Sequence, residues 1–319
     1  MKAIVNTGPN QLAMQDWPTP EPGPGQVRIK TGAVGVCATD LEMIAGWERT
    51  GFPAIPGHEW AGCVDAVGAG VDANLVGRRC VAENVLADGG EVGFEHPGAY
   101  GEYFVTEARH VQPLPADFPL PAAALIEPLA VSVRGVKRLR VEDWSRALVF
   151  GDGPIGLLMV MLLRREVEEI VMVGGRADRL ALARDLGAAT TLNYHQIEGD
   201  LAAAVAAEAG AFPNIVEASG SGQAMRASLD LAAPGGKVLM LGDYKRARAD
   251  FAWNHLLHRE IELIGSNASA GAWPEAVRLA VEEKLPLERL ITHRFPAARF
   301  AEGVAVTRSR ECIKVILEW

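Results

Sequence analysis

Hydrophobic and polar positions alternate in two different ways along this chain. As far as about residue 120, short β-type runs are separated by glycine and proline: KAIV, QVRIKTGAVGV, CVDAVG, RRCVA, YGEYFVTE and HVQPL. Short strands interrupted by turn residues predict an all-β barrel or sandwich. The stretch WPTPEPGPGQ, residues 17–26, is rich in proline and predicts an extended connector, because proline fixes φ and restricts the residue before it.

From about residue 124 onward, strand-like and helix-like segments alternate. The predicted strands are RALVFG, EIVMVGG, NIVEASG, KVLMLGD and EIELIGS, and the predicted helices are PIGLLMVMLLRRE, ADRLALARDLGA and GQAMRASLDLA. We expect the second helix to end at Gly187, since glycine is the usual residue after a helix C-terminus. Alternation of this kind predicts a doubly wound parallel sheet with helices on both faces. The last fifty residues hold an amphipathic helix, AWPEAVRLAVEEKL, and a closing strand, CIKVILEW.

Composition narrows the class of protein. The 319 residues carry a net charge of −9, which argues against a general nucleic-acid binder. No apolar run is long enough for a membrane span, and the first residues lack the apolar core of a signal peptide. The cysteines have no C-x-x-C spacing and suit a reducing compartment; they are Cys37, Cys63, Cys80 and Cys312. We therefore expect a cytoplasmic protein with no membrane or nucleic-acid partner.

A glycine-rich turn, LVFGDGPIG at residues 148–156, follows the first strand of the second region. Gly151, Gly153 and Gly156 form G-x-G-x-x-G, with Pro154 and Ile155 completing the start of the next helix. In a strand–turn–helix context each glycine has a physical role: a tight turn, close approach of the backbone to a pyrophosphate, and close helix–strand packing. The turn predicts a dinucleotide site; the alternative is a structural turn without a ligand.

The end of the next strand bears on which dinucleotide is bound. An NAD site usually has Asp or Glu there, to bind the ribose 2′-hydroxyl. In VMVGGRADR this place is taken by Gly174, followed by Arg176 and Arg179. A glycine leaves room for a 2′-phosphate and an arginine can pair with it, so the sequence favours NADP(H) over NAD(H). The alternative is that both arginines are solvated at the helix start and that NAD is bound through the backbone, with Asp178 nearby.

Several polar residues of the first region suggest a metal site. Cys37 ends a β-type run, with Thr39 just after it; His58 and Glu59 are adjacent, and Glu127 lies in the apolar stretch ALIEPLAV. Thiolate, imidazole and carboxylate groups form a plausible zinc set with one position left open. A lone cysteine is also common as a small buried hydrophobe, and these residues do not form a compact motif, so spacing alone leaves both interpretations open.

Taken together, C-x-x-D, GHE-x-x-G, EPLA and G-x-G-x-x-G resemble the zinc-containing medium-chain dehydrogenase/reductase family, nearest its polyol (sorbitol) and threonine dehydrogenase branch. The resemblance implies a GroES-like catalytic domain (residues 1–123 and 266–319) and a Rossmann domain (residues 124–265). It implies that Cys37, His58 and Glu59 bind a catalytic zinc and that Glu127 is the nearby carboxylate, which binds zinc directly or through its water. It also implies that Thr39 carries the proton and that Lys314 meets the cofactor phosphates.

This sequence departs from the family pattern in its zinc and proton-relay residues. The closely spaced cysteines of a second, structural zinc are missing from ENVLADGGEVGFEHPGAYGEY, so we expect one zinc only. Glu42 stands where a relay histidine often follows. The implied activity is hydride transfer between a nicotinamide cofactor and an alcohol or polyol, or the matching carbonyl compound, by a homodimer or homotetramer. The alternatives are a zinc-free quinone or enone reductase of the same fold and a non-catalytic NADP-binding protein.

Overall fold

Two units make up the fold of this protein. The computed structural model describes residues 1–47, 49 and 51–319. The first unit combines residues 1–130 with residues 271–319, and the second consists of residues 131–270. The assignment of one unit to catalysis and the other to dinucleotide binding stays a prediction.

The first unit is built mainly of antiparallel strands. In the described residues its strands are β1 (Lys2–Gly8), β2 (Gln11–Asp16), β3 (Gln26–Val36), β4 (Glu59–Val67), β5 (Arg79–Ala82), β6 (Tyr103–Glu107), β7 (Val111–Pro113), β14 (Ile291–Pro296) and β15 (Lys314–Glu318). Its helices are α1 (Ala38–Ala45), α2 (Leu120–Ala123), α9 (Trp273–Val281) and α10 (Phe300–Ser309), and α3 (Ile126–Leu139) crosses into the second unit. The main sheet has the order β14-β15-β3-β4-β5-β7, and β6 also pairs with β3.

The long strand β3 organises this unit, because β4, β6 and β15 all pair with it in antiparallel fashion. Its residues Val27, Ile29 and Val34 are fully buried. They lie in a core with Trp60 and Phe104, whose rings meet edge to face at 4.7 Å between centroids. Burial of aromatic and branched side chains along a pleated strand is the main favourable contribution to such a sheet.

The second unit is a parallel sheet flanked by helices. Its strands are β8 (Arg146–Phe150), β9 (Glu169–Gly174), β10 (Thr190–Asn193), β11 (Phe212–Glu217), β12 (Ala232–Met240) and β13 (Glu262–Gly265). Its helices are α4 (Pro154–Leu163), α5 (Ala177–Leu186), α6 (Leu201–Ala209), α7 (Gly222–Leu231) and α8 (Trp253–His258). The described strands pair in the order β10-β9-β8-β11-β12-β13, all parallel, which is the doubly wound dinucleotide-binding order. The predicted fold class is confirmed.

Helix α4 shows why the sequence pattern was informative here. It is apolar on all sides, and every residue from Gly156 to Leu163 is buried, as expected for a helix enclosed by a sheet and other helices. With ten residues it is short, and none of the helices in the described part of the chain has the length and apolar character needed to cross a membrane.

The elements that sequence reasoning missed are mostly short or weakly patterned. Strands β2, β10 and β14 have few or no fully buried residues, so their hydrophobic pattern is weak. Helix α6, LAAAVAAEA, is alanine-rich and lacks a clear apolar stripe. Helix α7 ends at Leu231, close to its predicted end, and strand β12 starts directly at Ala232, earlier than the predicted strand KVLMLGD.

Candidate functional site

Strand register brings the predicted zinc ligands together. Cys37 directly follows β3, and the pairing of β3 with β4 sets Gly35 opposite Glu59. The pairing of β15 with β3 sets Val315 opposite Val36, so that Lys314 lies beside the start of α1. His58 precedes the first residue of β4. Residues far apart in sequence therefore meet at one end of the same three strands.

Two glycines make this convergence possible. Gly57, just before His58, has φ of +102°, and a Cβ there would lie 2.7 Å from Cδ1 of Tyr100. Only glycine adopts this conformation without strain. At Gly35 a Cβ would lie 2.3 Å from Oε2 of Glu59. The missing side chain on β3 thus provides the space that the Glu59 carboxylate fills.

The geometry of this cluster suits zinc. Cys37, His58 and Glu59 each offer one ligand atom, and these atoms all lie within 4.8 Å of one another; no other such group of three His, Cys, Asp or Glu side chains occurs in the described residues. A tetrahedral Zn²⁺ with bonds of about 2.0–2.3 Å holds its ligand atoms about 3.3–3.8 Å apart. A small movement of the side chains would close the site on a metal, and a sulfur, nitrogen and oxygen set is one that zinc accepts.

Asp40 is a functional residue that our sequence analysis did not assign. One of its oxygens, Oδ2, accepts the backbone N–H of Cys37 at 2.8 Å. The other, Oδ1, lies 3.2 Å from Nδ1 of His58, a charge-pair contact without hydrogen-bond geometry, and neither atom has a hydrogen-bond partner among the described residues. A carboxylate behind a metal-binding imidazole fixes its orientation and leaves the second ring nitrogen for the metal. The signal in the sequence was the C-x-x-D spacing, which carries Asp40 to the third residue of α1.

Electrostatics support the pairing of Asp40 with His58. Burial lowers the pKa of His58, but the neighbouring Asp40 carboxylate and then Cys37 more than offset it, so this pKa lies well above its ordinary value. The imidazole is only 5% exposed. Its ring also lies against Phe94, with 4.8 Å between the ring centroids. The side-chain amide of Asn84 donates to the backbone carbonyl of His58 at 2.9 Å.

Lys314 forms a buried ion pair with a carboxylate of the cluster. Its Nζ donates to both carboxylate oxygens of Glu59 at 2.7 Å, and both side chains are almost completely buried. The contact with the cofactor phosphates that the family resemblance implies for Lys314 stays a prediction, and in this structure the ammonium is bound to the Glu59 carboxylate. Burial lowers the pKa of Lys314, but the neighbouring Glu59 carboxylate outweighs this effect, so that the pKa is raised.

The two remaining predicted residues lie at the border of the cluster. Glu127, near the start of α3, is outside the group of three mutually close ligand atoms. Loss of hydration raises the pKa of Glu127 to about 7. Of its charged neighbours, His58 lowers this pKa and the Glu59 carboxylate raises it. Thr39 lies in the first turn of α1, and its Oγ1 is 3.7 Å from Sγ of Cys37. The structure thus brings Thr39 to the site and leaves Glu127 beside it.

The glycine-rich turn has the geometry that a pyrophosphate requires. Gly151 has φ of +102°, and a Cβ at Gly156 would lie 1.8 Å from the carbonyl oxygen of Gly151. At Gly153, no atom of the described residues lies within 4 Å of the position a Cβ would take. Gly153 caps α4, whose first residues are Pro154 and Ile155. Tight packing behind the turn and open space in front of it fit a phosphate at the start of a helix.

The end of β9 differs from the prediction. Gly174 does not face an open space: a Cβ there would lie 2.6 Å from Cβ and 2.8 Å from Oδ2 of Asp152. Arg179, named as a cofactor-binding residue, is only 8% exposed, on the buried side of α5 with Leu180 and Ala183. Arg176 is half-buried, and its backbone N–H donates to Asp152. Cofactor binding by Arg176 and Arg179 stays a prediction, and the room expected at Gly174 is filled by Asp152.

Family models match both units of the chain. Residues 23–116 match the model described as an alcohol dehydrogenase GroES-like domain. Residues 154–282 match the model described as a zinc-binding dehydrogenase. The first match covers strands β3 to β7 with Cys37, His58 and Glu59, and the second begins within the glycine-rich turn.

Similarity to known proteins extends over the full length. The chain is 31% identical to L-threonine 3-dehydrogenase of Chelativorans sp. (strain BNC1), an alignment that covers 100% of this chain and 99% of that protein. It is 29% identical to sorbitol dehydrogenase of Gallus gallus, over 99% and 96% of the two chains. Among solved structures, an alcohol dehydrogenase from E. coli CFT073 complexed with NADH superimposes with a TM-score of 0.93, at 25% identity, over 100% and 99% of the two chains.

Proposed function

Because the chain belongs to the zinc-containing medium-chain dehydrogenase/reductase family, we propose that it is a zinc-dependent dehydrogenase. It transfers a hydride between a nicotinamide cofactor and an alcohol or polyol, or the matching carbonyl compound. The observation that carries the proposal is the convergence of Cys37, His58 and Glu59, with Asp40 placed behind the imidazole. A protein that only bound a dinucleotide, or reduced a quinone or enone without metal, would have no use for this arrangement.

The chemistry divides between the bound groups and the chain. Zinc, when bound, polarises the substrate oxygen as a Lewis acid, and the nicotinamide exchanges the hydride. Cys37, His58 and Glu59 are the proposed metal ligands, with Glu127 as a nearby carboxylate that binds the metal directly or through a water. Thr39 offers the hydroxyl that accepts the substrate's proton and passes it outward. Asp40 keeps the His58 ring in one orientation.

Binding of the cofactor is proposed for the second unit. Gly151, Gly153, Pro154, Ile155 and Gly156 form the turn and helix start that receive the pyrophosphate. The sequence favoured NADP(H) because Gly174 appeared to leave room for a 2′-phosphate. The carboxylate of Asp152 takes up that room, so the proposal names a nicotinamide dinucleotide, with Arg176 at the edge of its ribose site.

Assembly and location complete the proposal. Strand β13 lies at the edge of the parallel sheet, and an edge strand exposes backbone groups that a second copy can pair with. We therefore expect a homodimer, or a homotetramer built from it. The cysteines Cys37, Cys63, Cys80 and Cys312 form no disulfide, which suits a reducing compartment such as the cytoplasm.

The test is a substrate screen on the purified protein. Alcohols, polyols and the matching carbonyl compounds are followed at the nicotinamide absorbance, with NAD(H) and NADP(H) in parallel, and zinc is measured by elemental analysis. We expect turnover that a chelator abolishes and added Zn²⁺ restores. Cys37→Ser should lose the zinc, whereas Cys63→Ser, a matched change in β4, should retain it.

Other outcomes of the screen would favour a different function. Activity that survives chelation, in a protein with no zinc, would contradict the proposal and favour the zinc-free reductase. Tight cofactor binding without turnover of any compound on the panel would favour a non-catalytic protein.

A further inference from the structure

Asp152 lies at the point of the second unit where dinucleotide-binding proteins usually read the ribose. It is the residue between the first two glycines of the turn after β8, yet its side chain reaches across to the end of β9. Its Oδ2 accepts the backbone N–H groups of Gly175 at 3.0 Å and Arg176 at 2.8 Å. These amides lie just before the first residue of α5, where an anion is favoured.

Gly174 explains how this contact is possible. The usual acid would stand at this position, at the end of the second strand of the fold. A side chain there would begin 2.6–2.8 Å from the Cβ, Cγ and Oδ2 atoms of Asp152. The carboxylate of Asp152 therefore occupies the space that an acidic side chain at position 174 would enter. The carboxylate at this place is that of Asp152, from the turn after β8, instead of one from position 174.

The backbone that holds Asp152 is fixed from its other side as well. A Cβ at Gly175 would lie 2.5 Å from the hydroxyl of Tyr194, so the Tyr194 side chain lies directly against this peptide. Its ring packs on His195, with 4.2 Å between the centroids. The amides of Gly175 and Arg176 are thus committed to a carboxylate, and they are not open to a phosphate.

The local charge also disfavours a second anion. Asp152 places a carboxylate directly at the two amides, with Arg176 beside it, whereas the carboxylate of Asp178 is exposed and screened by solvent. A 2′-phosphate here would meet a carboxylate at close range, and like charges placed together cost several kcal/mol in recognition. A ribose 2′-hydroxyl would instead donate to Oδ1 of Asp152, which accepts no hydrogen bond from the described residues.

We infer that Asp152 is the residue that selects the cofactor, and that it selects NAD(H) over NADP(H). The inference rests on the proposed function, because it needs a dinucleotide at the glycine-rich turn. It reverses the preference for NADP(H) that Gly174 and Arg176 suggested in the sequence. It also assigns recognition of the ribose 2′-hydroxyl to Asp152, a residue within the glycine motif.

The test measures binding, with no turnover needed. Dissociation constants are determined calorimetrically for the zinc-loaded protein with NADH, NADPH, 5′-AMP and adenosine 2′,5′-bisphosphate. The last two probes differ only in the 2′-phosphate and do not reach the nicotinamide or zinc sites. The wild-type protein should bind NADH and 5′-AMP at least about tenfold more tightly than their 2′-phosphorylated counterparts, the effect of one charged hydrogen bond replaced by a repulsive contact.

Asp152→Asn keeps an acceptor for the two amides and removes the charge. It should shift the ratio of the NADH and NADPH dissociation constants toward NADPH by at least about tenfold. Asp178→Asn, which removes an exposed charge from the same strand–helix junction, should leave this ratio within about twofold, as for a solvated charge. Circular dichroism and the melting temperature establish that both variants fold.

Each outcome has one meaning. Tighter NADPH than NADH binding in the wild type, or a ratio unchanged by Asp152→Asn, overturns the inference and leaves the proposed function intact. If the wild type binds neither dinucleotide, the proposed function fails and the inference fails with it. If Asp152→Asn does not fold, the wild-type comparison of 5′-AMP with the bisphosphate decides alone.

Discussion

The Nζ atom of Lys314 lies 2.7 Å from both carboxylate oxygens of Glu59, in a position where neither side chain meets water. A buried charge without a partner is costly, and removal of one member of such a pair typically destabilises a protein by about 3–5 kcal/mol. The pair therefore couples the stability of the first unit to the proposed metal site, since Glu59 is also a proposed ligand.

Replacement of the lysine should expose this coupling. Lys314→Met should lower the free energy of unfolding by about 3 kcal/mol, because it leaves the Glu59 carboxylate buried and unpaired. The double variant Lys314→Met/Glu59→Gln should recover most of this loss, and urea unfolding of the zinc-free protein measures both. A loss below about 1 kcal/mol in the single variant, typical of an exposed pair, would contradict the role given to Lys314.

Asp40 should govern metal affinity through His58. Asp40→Asn keeps the size of the side chain but weakens its hold on the imidazole, and loss of such a supporting carboxylate typically lowers metal affinity by about 10–100-fold. Competition for Zn²⁺ with a chromophoric chelator measures this. Asp117→Asn, at an exposed position of the same unit, is the matched control and should bind zinc like the wild type. Equal affinities in all three proteins would disprove the role of Asp40.

Alanine substitutions at two glycines of the glycine-rich turn should have different effects, one on cofactor binding and the other on stability. Gly153→Ala adds a methyl group to open space, so the protein should remain stable but bind NADH at least about tenfold more weakly, as expected where backbone must approach a pyrophosphate. Gly156→Ala places the methyl group 1.8 Å from the Gly151 carbonyl oxygen, so the melting temperature should fall. Unchanged NADH binding by Gly153→Ala would show that the open face of the turn does not receive the cofactor.

An ion-pair cluster in the first unit should give an acid-sensitive contribution to stability. Arg49 lies 2.6 Å from Glu95 and 3.2 Å from Glu91. Burial opposes the charge of Glu95, but Arg49 outweighs it and lowers the pKa of Glu95 below the ordinary 4.5. A carboxyl group whose pKa is lower in the folded than in the unfolded protein stabilises the fold at pH values above its ordinary pKa. This contribution is lost as the pH falls through the pKa of the folded state.

Arg49→Met should therefore be less stable than the wild type at pH 7, by no more than about 1 kcal/mol since the groups are partly exposed. The difference should shrink as the pH falls below 4.5 and through the lowered pKa of Glu95, because protonation removes the charge that Arg49 pairs with. Urea unfolding at several pH values measures it. A difference that stays constant between pH 7 and pH 3 would show that packing of the Arg49 side chain on Phe94, rather than its charge, is responsible.

Sequence reasoning was most successful where local chemistry decides structure. Gly187 ends α5 as predicted, and the glycines of the turn at 151–156 lie between β8 and α4. Cys37, His58 and Glu59 were found from residue type and family resemblance. Their proximity, however, results from strand register, which sets Gly35 opposite Glu59 and Val36 opposite Val315.

The sequence did not reveal partners that are remote along the chain. Nothing in CIKVIL indicates that Lys314 pairs with a carboxylate 255 residues away. Gly174 was taken as empty space because the side chain that fills it, Asp152, comes from another loop. Arg179 lies on the buried side of α5, a position that the residues around it in the sequence do not indicate. Each of these depends on tertiary packing, which hydrophobic periodicity does not reveal.

The distance in sequence between Glu59 and Lys314 also sets an order of events during synthesis. The ribosome releases Cys37, His58 and Glu59 early, while the strand that carries Lys314, β15, emerges after the entire parallel-sheet unit has been made. Until then the carboxylate of Glu59 has no cation beside it, and β3 lacks one of its neighbours. The buried ion pair beside the proposed metal site can therefore form only once β15 has paired with β3.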